Sequence, residues 1–476
     1  VNGVSILSVG IDIGTSTTSM VLSRIQMRNT ASGFSVPQVC IVGSEIIYKS
    51  EIYTTPLVDG ILIDTEKIRA ILEKEYDKAG ITPSMIQTGA VIITGESARK
   101  QNASLVTQTL SSFAGDFVVA TAGPDLESVI AAKGAGAQQY SKEHSCVVAN
   151  LDIGGGTTNI AVFHCGELCA KGCWDIGGRL VQVDRQKKVT YLSPRLPAIM
   201  KAAGVSLELG RTADWQELDR LCRVMAQVLE DTLKFTASKL CEEMRTAGSS
   251  RLTLSRPVEY ITFSGGVADC VYSPQEDWFR FGDIGPILAH SIRESSLMRD
   301  YQVIPPKETI RATVVGAGSY TTSVSGSTIT YTDESVFPVK NLPAFLLGRE
   351  TEHQCLTGND RNLREETEWF LEQNDCDNLL FCIQDIDSLS YRQLNLLADA
   401  LCHTADSALG KEQTVMVLCR GDFAKALGQA MQRRLLDRKL VCIDSISVQF
   451  GDYIDIGRPL MNGMAVPVVV KTLLYG

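Results

Sequence analysis

Val9-Gly10-Ile11-Asp12-Ile13-Gly14-Thr15-Ser16-Thr17-Thr18 is written again, far downstream, as Asn150-Leu151-Asp152-Ile153-Gly154-Gly155-Gly156-Thr157-Thr158. Each copy is a short apolar strand, an Asp, a glycine turn and a run of hydroxyls leading into a second apolar strand. A glycine turn lets backbone N–H groups approach phosphate oxygens, because no Cβ stands in the way. Thr and Ser hydroxyls add donors. An Asp at the strand end carries the wrong charge to touch phosphate and the right charge to orient the waters of Mg²⁺. One such turn is also an ordinary hairpin signal. Two copies with the same order of Asp, Gly and hydroxyl favour a phosphate cleft built from both sides. Neither copy is a Walker loop or a dinucleotide fingerprint.

The rest of the chain sets bounds on that reading. Its 476 residues predict two to four domains of ordinary globular composition. A formal charge of −10 argues against a dedicated nucleic-acid or anionic-membrane surface. No run of ~18 apolar residues and no basic-then-apolar start is visible, so neither a membrane span nor a secretory peptide is expected. The fourteen Cys are scattered, as in a reducing cytosol. Cys165, Cys169 and Cys173 lack a Cys-x-x-Cys pair, and Cys165-Gly166-Glu167 reads as a turn between strands rather than a metal site.

Outward from the two turns, elements follow in parallel order. Asp64 or Thr65 caps a helix through Ala79 that ends at Gly80. Residues 126–139 form a helix rich in Ala and Gly, and residues 313–320 a second; small residues suit close backbone crossings. Trp215 to Leu240 reads as one long amphipathic helix. Tyr260-Ile261-Thr262-Phe263 is a strand running into Ser264-Gly265-Gly266-Val267. The Ser/Thr-rich stretch 321–343 reads as a linker. Beyond it, strands at 379–383, 415–418 and 440–443 alternate with helices at 391–408 and 422–438, which predicts a small parallel three-stranded domain with Asp422 as an N-cap. Residues 448–474 read as further strands.

The order of five segments, 10–18, 127–137, 152–158, 264–268 and 313–320, resembles the actin, Hsp70 and sugar-kinase superfamily. The expected fold is α/β: duplicated actin-like (ribonuclease H-like) ATPase lobes around a nucleotide cleft, plus a small C-terminal α/β domain. The lobes would span 1–145 and 146–330, the second with a helical insert at 195–255, and the last domain 331–476. Within the superfamily, the chain is similar to the EutA family of ethanolamine ammonia-lyase reactivating factors. The similarity is carried by residues 8–15, 92–98, 123–130, Asp175-Ile176-Gly177-Gly178-Arg179-Leu180, 451–457 and 467–473.

That resemblance implies a chaperone-like factor that uses ATP to eject a damaged cobalamin from the lyase, so that intact adenosylcobalamin can enter. ATP/ADP and Mg²⁺ would be its cofactors, with no cobalamin held stably by the chain itself. Its partner would be the lyase, with no nucleic acid and no membrane, a homodimer being allowed, in the cytoplasm or with a bacterial microcompartment. Asp12 and Asp152 are expected to hold the metal's waters, one of them also orienting the attacking water. Gly14, Thr15, Ser16 and Thr17 would contact phosphate from one side, and Gly154, Gly155, Gly156 and Thr157 from the other. Gly265, Gly266 and Val267 would pass the adenine ring or α-phosphate. Glu230, Lys234 and Lys239 lie where the superfamily often grips ribose and adenine, although a solvated helix face with an i,i+4 Glu–Lys pair is the favoured reading of them. Glu96 and Glu127 are candidates to polarise water. No Walker-type lysine is present, so slow hydrolysis is expected. A small-molecule kinase or hydrolase of the same fold, and an actin-like structural protein, are the competing classes.

Overall fold

A computed structural model describes residues 4–14, 17–29, 39–58, 62–93, 118–121, 124–234, 237–320, 322–325, 328–374, 376–450, 452–460, 463 and 465–472. The first lobe is built on β1 (Val4–Ile13), β2 (Thr17–Asn29), β3 (Val39–Lys49), β4 (Thr88–Ile93) and β5 (Val118–Thr121). They form a sheet in the order β3-β2-β1-β4-β5, and a short strand, Tyr53–Thr54, also pairs with β2. Alternation along β1 sends Val9, Ile11 and Ile13 to one face, where they bury Ile68, Leu72 and Tyr76 of helix α1 (Thr65–Ala79). That helix starts and stops where the sequence predicts. The Asp64 carboxylate accepts from the N–H of Lys67 at 3.2 Å, and Gly80 closes the helix at φ +67°.

The chain then enters helix α2 (Pro124–Ala135) and helix α3 (Ala137–His144). The single helix expected over 126–139 is broken at Gly136, whose φ is +90°. The second lobe follows as β6 (Val147–Ile153), β7 (Thr158–His164), β8 (Glu167–Trp174), β9 (Tyr260–Ser264) and β10 (Gln302–Val303), in the order β8-β7-β6-β9-β10. The β7–β8 turn uses Cys165 and Gly166, at φ +52° and +87°, as the hairpin reading requires.

The two sheets have one order and one pattern of directions. β1 and β2 are antiparallel and pair Asp12 with Ser19; β1 and β4 are parallel and pair Asp12 with Ile92. In the second lobe Asp152 pairs antiparallel with Asn159 and parallel with Ser264. This is the duplicated-lobe α/β fold that the doubled turn predicts.

Between β8 and β9 lies helix α4 (Trp215–Thr232), which buries Leu218, Leu221, Cys222, Met225 and Leu229 against the second sheet. It stops short of the expected Leu240. The Thr232 hydroxyl turns back to the carbonyl of Leu229 at 2.6 Å, and a separate short helix, Lys239–Glu243, follows. Two more helices of this lobe region matter below: α5 (Gly285–Glu294) and α6 (Ala312–Tyr320).

Helices α2 and α6 tie the lobes together by exchange. α2 lies on β6, β7 and β8 of the second sheet, and α6 on β1, β2 and β4 of the first. They meet at glycine. A Cβ on Gly134 would overlap the carbonyl oxygen of Ala312, and one on Gly316 that of Ile130. The small residues read from the sequence therefore mark a backbone-to-backbone crossing.

The C-terminal unit departs from expectation. Its sheet has eight strands, not three, and it recruits the stretch 321–343 that reads as a linker. β11 (Thr322–Ser325) and β12 (Thr330–Tyr331) sit at its two edges, with β13 (Val339–Leu346), β14 (Leu380–Ile383), β15 (Val415–Cys419), β16 (Leu440–Asp444), β17 (Asp452–Ile456) and β18 (Val466–Thr472) between them, in the order β11-β18-β17-β13-β14-β15-β16-β12. Strands β13 to β16 are parallel. Helix α7 (Tyr391–Ala408) is as predicted, but α8 is only Ala424–Gln432 and is preceded by Phe423 at the cap position, so Asp422 is not the N-cap.

Candidate functional site

The two glycine turns close with one hydrogen bond each, at the same place. Gly14 N–H donates to Thr17 O at 2.8 Å, and Gly154 N–H to Thr157 O at 2.9 Å. The hydroxyls that follow serve as anchors for neighbouring chain. Thr18 shares a hydrogen bond with Thr55 at 3.0 Å, and Thr55 donates to Gly14 O at 2.8 Å. Thr158 donates to Ile176 O at 2.7 Å. Thr15 and Ser16 lie outside the described residues, as does Glu96.

Asp12 and Asp152 are the last residues but one of the corresponding strands β1 and β6. Burial, and then the negative charge of Asp152, push the Asp12 carboxyl up to about 7. Its Oδ1 is buried and finds no hydrogen-bond partner among the described residues. Burial pushes Asp152 up to about 6, against the pull of a hydrogen bond from the Ser264 hydroxyl to Oδ1 at 2.6 Å. Glu127, in the first turn of α2, faces both. Burial and the charges of Asp152 and then Asp12 hold it well above the usual carboxylate range, opposed by a hydrogen bond with the Asn159 side chain. The sequence marks Glu127 only as a candidate to polarise water; its place between the two aspartates is a product of the helix exchange.

Three carboxyls thus converge between the lobes, and none makes an ion pair among the described residues. Leaving such groups charged and unpaired in a buried site costs several kcal/mol. A hard cation is the partner that this oxygen donor set suits. Among the described residues no cluster could grip a metal directly. The donor set suits a hydrated cation whose waters would reach Asp12 and Asp152, with Asp12 Oδ1 the open acceptor among the described residues.

The second turn is packed from beneath. Gly178 N–H donates to Gly154 O at 3.0 Å and Arg179 N–H to Gly155 O at 2.7 Å. Space above Gly156 is open, with nothing within 4 Å of where its Cβ would be. Thr157 turns its side chain to the Cys173 thiol. Gly265 takes φ +85°, and a Cβ there would overlap Ile153 O, so the third glycine turn lies directly against the strand that carries Asp152. Its N–H is occupied by Thr309 O at 3.0 Å. Gly266 opens a short helix, Gly266–Tyr272, and Val267 is buried in the second-lobe core.

Glu230 and Lys234 are engaged elsewhere. Glu230 accepts from the N–H of Ser296 at 2.8 Å, at the start of the short helix Ser296–Asp300, and Lys234 pairs with Asp231 at 2.7 Å. Ser264 and Asn150 join the site, though sequence reasoning gives them no role of their own. Asn150 Nδ2 donates to Ser264 Oγ at 3.0 Å, completing a relay onto Asp152. Both lie inside the glycine-turn motifs, but only the β6–β9 register brings them together.

No helix of the described residues is long and apolar enough to cross a membrane. Among solved structures, the ethanolamine utilization protein EutJ from Carboxydothermus hydrogenoformans matches 66% of this chain and 89% of its own, at 16% identity and a TM-score of 0.31. MreB 5 of Spiroplasma citri bound to AMPPNP matches 65% of this chain and 94% of its own, at 13% identity and a TM-score of 0.33. In sequence, a protein named ethanolamine ammonia-lyase reactivase EutA from Salmonella typhimurium (strain LT2) is 37% identical over 473 residues, covering 99% of this chain and 98% of the relative. Its namesake from Escherichia coli (strain K12) is 36% identical over 476 residues, with the same coverage. The family model described as ethanolamine utilisation protein EutA matches residues 4–476. With both lobes, the cleft and the C-terminal sheet inside that match, the chain belongs to the ethanolamine utilisation protein EutA family.

Proposed function

We propose that this chain reactivates ethanolamine ammonia-lyase, binding Mg-ATP between its lobes and driving release of a damaged cobalamin so that adenosylcobalamin can rebind. The observation that carries the proposal is full-length identity to two proteins that bear the reactivase name. The kinase and filament readings have no observation of that weight.

Backbone at Gly14 and at Gly154 to Gly156 would cradle the phosphates, and the Gly265-Gly266 turn would pass the nucleoside side. Asp12 and Asp152 would orient the waters of Mg²⁺, which when bound would offset charge on the triphosphate. Glu127 stands where it could hold an attacking water or take its proton. Among the described residues no lysine is recruited to the turns, so hydrolysis should be slow, as suits a switch between two states of a partner complex. Such a switch works only if the lyase binds the two states with different strength.

The test inactivates ethanolamine ammonia-lyase with a cobalamin that lacks the adenosyl group, then adds this protein, Mg-ATP and fresh coenzyme. Recovery of lyase activity that needs all three additions is expected. No recovery, with phosphorylation of a small acceptor instead, would turn the reading to a kinase.

A further inference from the structure

The second turn has a cation beside it. The segment Asp175-Ile176-Gly177-Gly178-Arg179 runs along the underside of residues 154–156 and is fastened to it by the two backbone hydrogen bonds already described. Glycine is required at both central positions. A Cβ on Gly177 would overlap Gly155 O, and one on Gly178 would stand 2.9 Å from Gly285 Cα and from Val267 Cγ2. The two glycines bring the backbone into contact with the turn, and the next side chain is Arg179.

That side chain lies along the turn. Its Cδ, Cγ and Cβ are 3.2, 3.4 and 3.5 Å from the place that a Cβ on Gly155 would take. The head is partly exposed, at 40%, and makes one long contact, Nε to Asp283 Oδ2 at 3.4 Å. Asp283 keeps a second partner without it, because its Oδ1 accepts from Gly285 N–H at 2.9 Å. The first turn has a neutral hydroxyl in the corresponding place: Thr55 Oγ1 supports Gly14 O where the N–H of Gly178 supports Gly154 O.

We propose that Arg179 is the residue that distinguishes a nucleoside triphosphate from a diphosphate in this cleft, leaving Asp283 to take the terminal phosphate with its guanidinium. The inference rests on the nucleotide-binding reading above. A guanidinium forks onto phosphate oxygens with charge-assisted hydrogen bonds that one carboxylate oxygen at 3.4 Å does not match. A diphosphate ends short of that position and leaves Arg179 where it is. The exchange uncovers Asp283 at the entry to α5, where Ile284 N–H holds Gly178 O at 3.0 Å, so the phosphate state reaches the packing of α5 within the second lobe.

The test is calorimetric titration of the full chain, with Mg²⁺, against ADP and against a non-hydrolysable ATP analogue. Arg179→Gln should weaken the triphosphate by about tenfold or more while ADP changes by less than about twofold. Arg179→Lys should restore part of the loss. Asp283→Asn, which can still accept from Gly285, should keep or raise the preference for the triphosphate. Equal losses for both nucleotides would make Arg179 a support of the turn and overturn the proposal, as would unchanged affinities or a lowered preference in Asp283→Asn. If the unsubstituted chain binds neither nucleotide, the nucleotide reading itself falls and this inference with it, an outcome distinct from an arginine variant that behaves like the parent.

Discussion

Asp12 and Asp152 stand at the same point of the same turn, and among the described residues only Asp152 has a donor to its Oδ1. In the second lobe Asn150 supports Ser264 and Ser264 supports Asp152. The register puts Gly10 and Ile92 at those two places in the first lobe, so neither can donate, and Asp12 Oδ1 is left bare. Packing supplies the reason. Helix α6 lies on β1, and a Cβ on Gly10 would overlap the carbonyl oxygen of Val314. In the first lobe α6 crosses β1 at Gly10 itself, which leaves no room for an Asn there. The turn and the carboxylate recur in both lobes while their surroundings differ: Asp152 Oδ1 is held by Ser264, and Asp12 Oδ1 is open among the described residues.

The largest effect should come from removing each charge. Asp12→Asn and Asp152→Asn should both keep the fold and both lose steady-state phosphate release from Mg-ATP, by on the order of 10²-fold or more. Asp12→Asn should lose more, because nothing in the protein replaces its contact with the hydrated metal. The reverse ranking would break the comparison between lobes, and full activity in both variants would remove the metal assignment.

Next is the packing that makes the lobes differ. Gly10→Ala puts a methyl into the backbone of α6, and since neither partner can move independently, it should destabilise by about 3 kcal/mol or more. Gly156→Ala, in open space on the other turn, should cost under about 1 kcal/mol. Urea unfolding of both variants reads the difference. Similar midpoints would mean that the helix crossing is looser than its geometry.

The features of this comparison that are local in the chain are legible from the amino-acid sequence. The doubled turn is set by glycine and hydroxyl chemistry, and the Asp64 and Gly80 caps of α1 are local too. The smallness of the residues near 134 and 316 is equally plain. That α2 and α6 change lobes is not, and this exchange is what brings Glu127 between the aspartates and forbids a side chain at Gly10. Ser264 is 112 positions from Asp152, and its contact exists only in the β6–β9 register. The extra strands of the C-terminal sheet escape notice for a different reason. β11 and β12 are edge strands, each paired on one side only, so the polar, Ser/Thr-rich chain that suggests a linker is compatible with a strand there.

A smaller effect appears in the pH dependence of stability without nucleotide. The unfolded aspartates titrate near 3.8, and the folded ones are pushed up to about 7 for Asp12 and about 6 for Asp152. Between those values the folded chain holds protons that the unfolded chain has released, so these two groups make stability fall as pH rises from about 4 to about 7, and Glu127, also raised, adds to the fall. Asp12→Asn removes the larger of the two aspartates' shares of that fall. Its stability relative to the parent should therefore rise by about 2 kcal/mol from pH 5 to pH 8. Urea midpoints at four pH values measure it; a relative stability that is flat or declines over that range would contradict the unsatisfied-carboxyl account of Asp12.

The smallest change tests the comparison most directly, because it makes one lobe resemble the other. Ser264→Ala removes the hydroxyl from Asp152 and leaves Asn150 Nδ2 without its acceptor, so the second carboxylate acquires the bare surroundings of the first. The loss should be about 1 kcal/mol in stability, the usual worth of one such hydrogen bond together with a stranded donor. Its signature lies in titration. With the pull of Ser264 gone, the Asp152 carboxyl should move up toward Asp12, and the pH at which Mg-ATP binding is half-maximal should rise with it. Carboxyl-resolved NMR titration of the parent, Ser264→Ala and Ile92→Ser would follow both sites. The last variant offers Asp12 the hydroxyl that its lobe lacks, and should lower its titration point if the register alone decides which aspartate is satisfied. A Ser264→Ala profile that overlays the parent would mean that burial, and not the relay from Asn150, sets the difference between the two turns.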